Sequence, residues 1–531
     1  MVKLIFFKKY LNKYKINIAL ILILNICLWI SNIITTYITG NYIDSLIKNI
    51  NIIEVYKFSI IFILLTLFNI LIGYLNNIIY PKLQANMVFD INFEVIKHVK
   101  KLPISFFNKI DPVYLNQRIN GDSNEVTNFI ISLIIKVTTQ CISFIIVFCI
   151  LTKKNIFLSI FILSNIPLYL LLYKVFEKKL YETTLDYKEK QNKFISYMNR
   201  QLSNLSYVKL NSLFNILDNE LLLEYPIFLN SIIKFFKNNY NFSSLTSILN
   251  SSFNVFLFFY GGICIYKKQM TVGDFIIIKS YYLMLLDCIS NITQTLKTYP
   301  DAKVSSHRLM SILESKVELN GVNTLNNINS INVKNLSFKY DKNNILNNLN
   351  YEFERGNIYL IKGSNGTGKS TLIKLLLGLY IEDFDGEIIY NDTDIREINL
   401  YETRHKLISI VDQEPLLIHS EIYKNITYDL DVLDESLAQN LISGFNLKKD
   451  INSNNNSFSG GEKQKISIIR ALLKEPDVII MDEPTSALDL NSIYYLFEIL
   501  NNIKDNKIII IISHDDKFYK ISDKILNLDS I

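Results

Sequence analysis

The sequence predicts two domains of unlike class: an all-α membrane domain of six spanning helices over residues 1 to 314 and, after a linker at 315 to 330, an α/β domain with a helical subdomain over 331 to 531. Three observations predict it. Six long apolar stretches precede residue 300. The charge divides near the same place: residues 1 to 330 hold 33 Lys+Arg against 19 Asp+Glu, whereas residues 331 to 531 hold 22 against 31. A glycine-rich loop, "GSNGTGKS" at 363 to 370, stands between a short apolar strand pattern and a helical one, the order in which a phosphate-binding loop is built.

The apolar stretches lie at 16 to 39, 57 to 80, 126 to 151, 155 to 176, 243 to 266 and 272 to 296, each near the ~20 residues needed to cross a hydrocarbon core. Six crossings return the chain to its starting side. The first stretch is too long for a signal peptide and no small-residue cleavage site follows it, so it reads as a retained anchor. Lys3, Lys8, Lys9, Lys13 and Lys15 predict a cytoplasmic N-terminus, hence a cytoplasmic C-terminus, in a multi-pass protein of the cell membrane. The connections alternate: 81 to 125 and 177 to 242 are long, charged and helix-periodic, whereas 152 to 154 and 267 to 271 are minimal turns. Lys153, Lys154, Lys267 and Lys268 fall outside, against the usual bias, but the inward total is larger. The long segments predict arms that grip a moving part. The basic excess belongs to the apolar half, which argues for anchoring at the bilayer and against a nucleic-acid partner. All five cysteines also lie there, with no CxxC or Cys/His cluster, and read as small hydrophobes.

In the second domain "YLIK" at 359 to 362 is the strand before the loop, and "STLIKLLLGLY" is the helix after it. Backbone N–H groups of such a loop wrap phosphates, Lys369 reaches the β and γ oxygens, and Ser370 ligates Mg2+. "DVIIMDEPTSALD" is a buried strand ending in Asp482 and Glu483. Two adjacent carboxylates there are costly unless a cation or donors offset them, which fits Asp482 to a Mg2+ shell and Glu483 to a water. Further strands run into Gln413 and His514; either residue alone is more often structural, and their order along the chain is what informs. Tyr340 offers a ring for adenine. A second glycine pair, in "SFSGGEKQ" at 457 to 464, opens another helical pattern and so forms a second anion cradle.

Taken in order, the P-loop, Gln413, "SGGE", Asp482-Glu483, "SALD" and His514 resemble an ATP-binding cassette (ABC) ATPase, and with six preceding spans the chain resembles an ABC exporter half-transporter of the type I exporter, or type IV ABC, fold. "LPISFFNKIDPVYLNQRINGDSNEV" at 102 to 126 and "TVGDF" at 271 to 275 add to that resemblance. It implies ATP and Mg2+ as cofactors and ATP hydrolysis coupled to transport. It implies ATP contacts by Tyr340, by Gly363, Ser364, Asn365, Gly366, Thr367, Gly368, Lys369, Ser370 and Thr371, and by Ser459, Gly460, Gly461, Glu462 and Asp489. Glu483, His514 and Gln413 would be catalytic, and Ser370, Gln413 and Asp482 would hold Mg2+. In this family two such domains pair head to tail, so the two cradles of one chain serve different ATP molecules. The presence of both Glu483 and His514 favours a homodimer over a heterodimer with a related chain.

The chain departs from the family pattern at Phe458 and Glu462, which flank the three phosphate-facing residues of the signature. The stretch from Gln413 to Ser459 is short for an exporter, with "NSNNNSF" where a Glu-bearing loop normally meets the membrane arms, and Asp111, Pro112, Val113 and Tyr114 replace the usual turn in the first arm. For cargo, the signature and the size resemble exporters of ribosomal peptides, so a small peptide such as a bacteriocin is expected, without a leader-cleaving domain ahead of the first span. A lipid flippase, a multidrug exporter, or a membrane sensor or immunity protein with a gating ATPase remain as alternatives. Asp287, ~22 Å down the last span, would face the cargo cavity or form a strut with Lys136.

Overall fold

The computed structural model describes residues 2–48, 52–107, 110, 112–340, 343–418, 421–427, 434–447 and 458–530. Asp111, the side chains of Pro112, Val113 and Tyr114, and residues 452–457 of "NSNNNSF" lie outside that description. The chain forms two compact units, one of residues 1–100 and 110–315, the other of residues 101–109 and 316–531. Segment 101–109, which follows the second apolar stretch, thus belongs with the second unit.

The first unit is helical throughout. A short helix α1 (Val2–Lys13) precedes α2 (Lys15–Ile47) and α3 (Ile52–Val99). Lys9 reaches Glu94 at 2.7 Å, and Lys13 reaches Asp90 at 2.5 Å. Because Asp90 and Glu94 are one turn apart on α3, they hold two successive turns of α1. After α4 (Ile104–Phe107) of the other unit come α5 (Pro112–Ile131), a π-helical stretch at Ser132–Val137, and α6 (Thr138–Lys154). The chain continues through α7 (Ile156–Leu163), α8 (Asn165–Ser203), α9 (Leu205–Leu210), α10 (Phe214–Tyr266), α11 (Val272–Lys297) and α12 (Tyr299–Leu313).

Among the described residues five helical stretches are long and apolar enough to cross a membrane: Lys15–Ile47, Ile52–Val99, Arg118–Lys154, Ile156–Ser203 and Phe214–Tyr266. The sixth predicted stretch forms α11, which carries Asp274, Lys279 and Asp287 and sits in the bundle interior. Its Ile277, Tyr281 and Leu285 are buried against Ile33, Val147 and Leu257. At one end of the bundle Asp44 accepts from Thr271 Oγ1 at 2.6 Å and from the Gly273 N–H at 2.7 Å, while Lys154 pairs with Asp274. That pairing neutralises one of the lysines that ran against the charge bias. Gly40 and Gly273 make this approach possible, since a Cβ on Gly273 would stand 2.2 Å from the Gly40 carbonyl oxygen.

The second unit is built on two sheets. Strands β1 (Ser330–Tyr340), β2 (Asn343–Glu354), β4 (Phe384–Tyr390) and β5 (Thr393–Asp394) form an antiparallel sheet in the order β2-β1-β4-β5. The other sheet is parallel, in the order β6-β7-β8-β3-β9, from β3 (Asn357–Lys362), β6 (Ile408–Val411), β7 (Val478–Asp482), β8 (Ile508–Ile512) and β9 (Lys524–Asn527). Five consecutive isoleucines make β8, and all are buried, as an interior strand covered on both faces requires. One face packs around Leu372, Leu375 and Ile388, and the other around Ile466, Ile469 and Leu496. Helix α13 (Lys369–Leu376) covers the first face, and α17 (Gly460–Leu473) and α18 (Leu490–Ile503) the second. The discontinuous segment joins this core: Leu102 is buried, Ile104 packs on the first face, and Lys101 O accepts from the Glu318 N–H at 2.8 Å.

Candidate functional site

β3 ends at Lys362 and α13 begins at Lys369, so residues 363–368 join the carboxyl end of a central parallel strand to a helix N-terminus, where open α/β sheets bind ligands. Gly368 takes φ +91°, and a Cβ there would stand 2.7 Å from Ile345 Cγ2. Only glycine meets both demands. Lys369 folds back over the loop, its Nζ donating to Gly363 O at 2.7 Å and to Ser364 O at 3.0 Å. Ser364 is tied down from the far end of the chain, its N–H and hydroxyl donating to Asp529 Oδ1 at 2.9 and 2.8 Å. Those bonds hold the Asp529 carboxyl below the usual carboxylate range.

At the end of β7, Asp482 Oδ2 accepts from Ser370 Oγ at 3.1 Å. Burial pushes the Asp482 carboxyl up, and the hydrogen bond from Ser370 opposes this. Glu483 follows with φ +49°, its N–H donating to Ile512 O at 2.9 Å. Its carboxylate accepts from the His514 N–H at 3.0 Å and from Ser513 Oγ at 3.4 Å, so the end of β8 aims it.

Asp482, Glu483, Gln413 and His514 line one cleft of about 610 Å3 together with Lys369 and Ser370. Asn365, Gly366, Gly368 and Thr371 complete its loop side. Gly363, Ser364 and Thr367 belong to the loop without lining the cleft. Sequence reasoning missed Ile345 and Ser486, which also line it, and Asp529. Ser486 stood within the quoted strand-end motif, whereas Ile345 and Asp529 reach the loop only through the fold. Tyr340 lies outside the lining, edge-on to Phe338 at 4.8 Å and to Tyr380 at 5.6 Å between ring centroids. Burial pushes its hydroxyl up to about 12.

The second cradle is separate from this cleft. Ser459 caps α17: its hydroxyl accepts from the Glu462 N–H at 3.3 Å, and the Glu462 carboxylate accepts from the Ser459 N–H at 2.8 Å. The Glu462 departure thereby completes a reciprocal cap. Gly461 passes so close to Ala487 that a Cβ would stand 2.7 Å from its carbonyl oxygen. Asp489 caps α18 through Ser492, and Lys465 pairs with it at 2.6 Å, holding its carboxyl down at about 2. The signature segment and the segment around Asp489 are thus locked into one surface, and none of Ser459, Gly460, Gly461, Glu462 and Asp489 lines the Lys369 cleft.

Asp287 is exposed on α11, within electrostatic reach of Tyr169 on α8. Among the described residues it forms no ion pair with Lys136, so the strut is not made. Nor do the described residues hold any group of three or more His, Cys, Asp or Glu side chains arranged for a metal. A hydroxyl, a carboxylate and an amide oxygen, from Ser370, Asp482 and Gln413, are hard donors lining the cleft, a sparse set that suits Mg2+ completed by phosphate and water.

Residues 18–287 match the ABC transporter transmembrane region family, and residues 346–486 match the ABC transporter family. The first match alone spans half the chain, and the protein belongs to the ABC transporters, as an exporter half-transporter that couples ATP hydrolysis to transport. An ATP-dependent lipid A-core flippase of Syntrophus aciditrophicus is 23% identical over 478 residues, covering 86% of this chain and 78% of its own. Multidrug resistance protein 1 of Plasmodium falciparum is 33% identical over 296 residues, 44% of this chain and 20% of its own. In fold, the structure of a bacterial Atm1-family ABC exporter with ATP bound superimposes with a TM-score of 0.83 at 18% identity, covering 98% of this chain and 94% of that one.

Proposed function

We propose that two copies of this chain pair head to tail to form two composite ATP sites that drive export of a small peptide from the cytoplasm, with both termini on the cytoplasmic side. The observation that carries this reading is the separation of the two cradles: Ser459 and its neighbours take no part in the cleft that Lys369 and Glu483 line. A phosphate held by one chain's Lys369 needs the other chain's Ser459, Gly460 and Gly461 to be enclosed, and Asp489 accompanies them across the interface. Tyr340 swings from its packing on Tyr380 to stack on adenine.

Within each site Glu483 orients and polarises the attacking water, His514 and Gln413 sense the γ-phosphate, and Lys369 neutralises the β and γ oxygens. Ser370, Asp482 and Gln413 would hold Mg2+, which supplies charge neutralisation on the phosphates. Closure draws the long arms together and opens the membrane cavity outward, and hydrolysis resets it. The exposed apolar residues at the tip of the second arm, Tyr207, Leu210, Phe214 and Ile216, supply a surface for the partner copy. Asp287, exposed and without the Lys136 strut, contacts cargo and favours cationic or hydrogen-bonding groups.

The test is accumulation of labelled short peptides in inside-out vesicles. ATP-dependent uptake, lost in Glu483→Gln and weakened for cationic peptides in Asp287→Asn, supports the reading. Lipid movement without peptide uptake would replace peptide by lipid as cargo, and ATPase stimulation without movement of either would favour a sensor.

A further inference from the structure

At the ends of the apolar stretches that close at residues 176 and 296, α8 and α12 line an open groove of about 570 Å3. α8 contributes Lys174, Glu177, Lys178 and Tyr181, whose spacing puts them on one helical face. α12 answers with Tyr299, Lys303, Val304 and His307, again one face. Beside the bilayer stretch α8 is joined to the end of α11, just ahead of α12, by Tyr173, whose hydroxyl donates to Leu296 O at 3.4 Å. Farther along, Lys188 joins Glu125 at 2.6 Å and Asp301 at 3.8 Å, and Arg308 pairs with Asp122. One end of the groove is therefore held by a neutral hydrogen bond and the other by ion pairs that answer their own charges.

The groove itself is different. Among the described residues Lys174 and Lys303 form no ion pair, and Lys178 has a carboxylate, Glu182, only at 4.0 Å. Three lysines from two helices thus share one cavity with a single lining acid, Glu177, while Arg308, which also lines it, has its charge answered by Asp122. Like charges so placed repel unless an anion lies between them. The tyrosine rings and Val304 add an apolar wall. An anionic group with an apolar body fits this combination, and beside a membrane-spanning stretch the lipid itself has that chemistry.

We propose that this groove binds the headgroup of an anionic phospholipid from the cytoplasmic leaflet. The proposal rests on the membrane reading of the chain and uses the proposed orientation only to name the leaflet. Full-length protein is reconstituted in nanodiscs of phosphatidylcholine containing phosphatidylglycerol, and retained lipid is read by native mass spectrometry, which needs no hydrolysis. Failure of the transport reading therefore leaves this result legible. Wild type should retain phosphatidylglycerol over phosphatidylcholine. The Lys174→Gln, Lys178→Gln, Lys303→Gln triple variant should bind it roughly a hundredfold more weakly, at about fivefold per lysine. The matching triple Arg variant keeps the charge and should retain the lipid, while Lys267→Gln, outside the groove, should behave as wild type. Equal retention by the Gln variant, once its melting profile shows it folded, would overturn the proposal. So would displacement of the lipid by glycerol phosphate at equal concentration, which would mean that a soluble anion is the occupant.

Discussion

Glu483 holds a left-handed backbone, φ +49°, at the end of a buried strand, a conformation that costs about 1–3 kcal/mol for a residue with a side chain. The bonds from His514 and Ser513 show what that strain achieves: the carboxylate is fixed before any substrate arrives. Glu483→Gln should keep ATP affinity within about twofold while lowering turnover at least a hundredfold, because the amide preserves shape and loses the charge that orients water. Lys369→Ala should instead weaken nucleotide binding itself, read by equilibrium dialysis; wild-type affinity would show the phosphate to sit elsewhere. Asp482 adds a pH dependence. Its raised pKa means that folding favours the neutral acid, so its own contribution to stability is greatest at low pH and is lost as pH climbs past the ordinary value of 3.8 toward the raised one. Mg2+ needs the ionised form, so the gain in melting temperature that Mg2+ adds to ATP should grow over the same rise. A gain independent of pH would remove Asp482 from the metal shell. The cleft was legible because its chemistry is written as short motifs beside strand ends. Asp529 was not, since nothing in "NLDS" announces that β9 delivers it to Ser364, 165 residues earlier.

Among elements, legibility followed burial symmetry. A strand such as β8, apolar on both faces, can be read from five isoleucines alone. α11 was placed by its length, but its interior position is set by neighbours: Gly40 and Gly273 let α2 and α11 touch, and Asp44 caps the junction. No periodicity encodes that contact, and none encodes the π-helical turn at Ser132–Val137. Gly273→Ala should therefore cost about 1–3 kcal/mol and lower the melting temperature in detergent by several degrees, because the new Cβ meets backbone that cannot rotate away. Gly262→Ala is the matched control, since a Cβ there meets nothing within 4 Å. Equal melting of the two variants would mean that α2 and α11 separate freely at that end.

At the scale of the molecule, the two cradles make a prediction that no single-chain measurement could reach. In a mixed dimer with Lys369→Ala on one chain and Ser459→Ala on the other, both lesions fall in one composite site and about half the activity should survive; with both on the same chain, each site carries one lesion and little should remain. Equal residual activity would show that the sites are not shared between copies. The segment 101–109 has a different reach. Ile104 is part of the nucleotide unit's packing although more than two hundred residues separate it from the rest of that unit, so its backbone reports on a domain to which it is not adjacent in sequence. In hydrogen–deuterium exchange of the intact protein, amides of 102–107 should slow on adding ATP in step with those of β1 and α13, while amides of neighbouring α3 keep their own rate. Should they follow α3 instead, the packing of Ile104 on the nucleotide unit is lost in solution, and the work done at the cleft no longer reaches α3 and α5 through the segment that joins them.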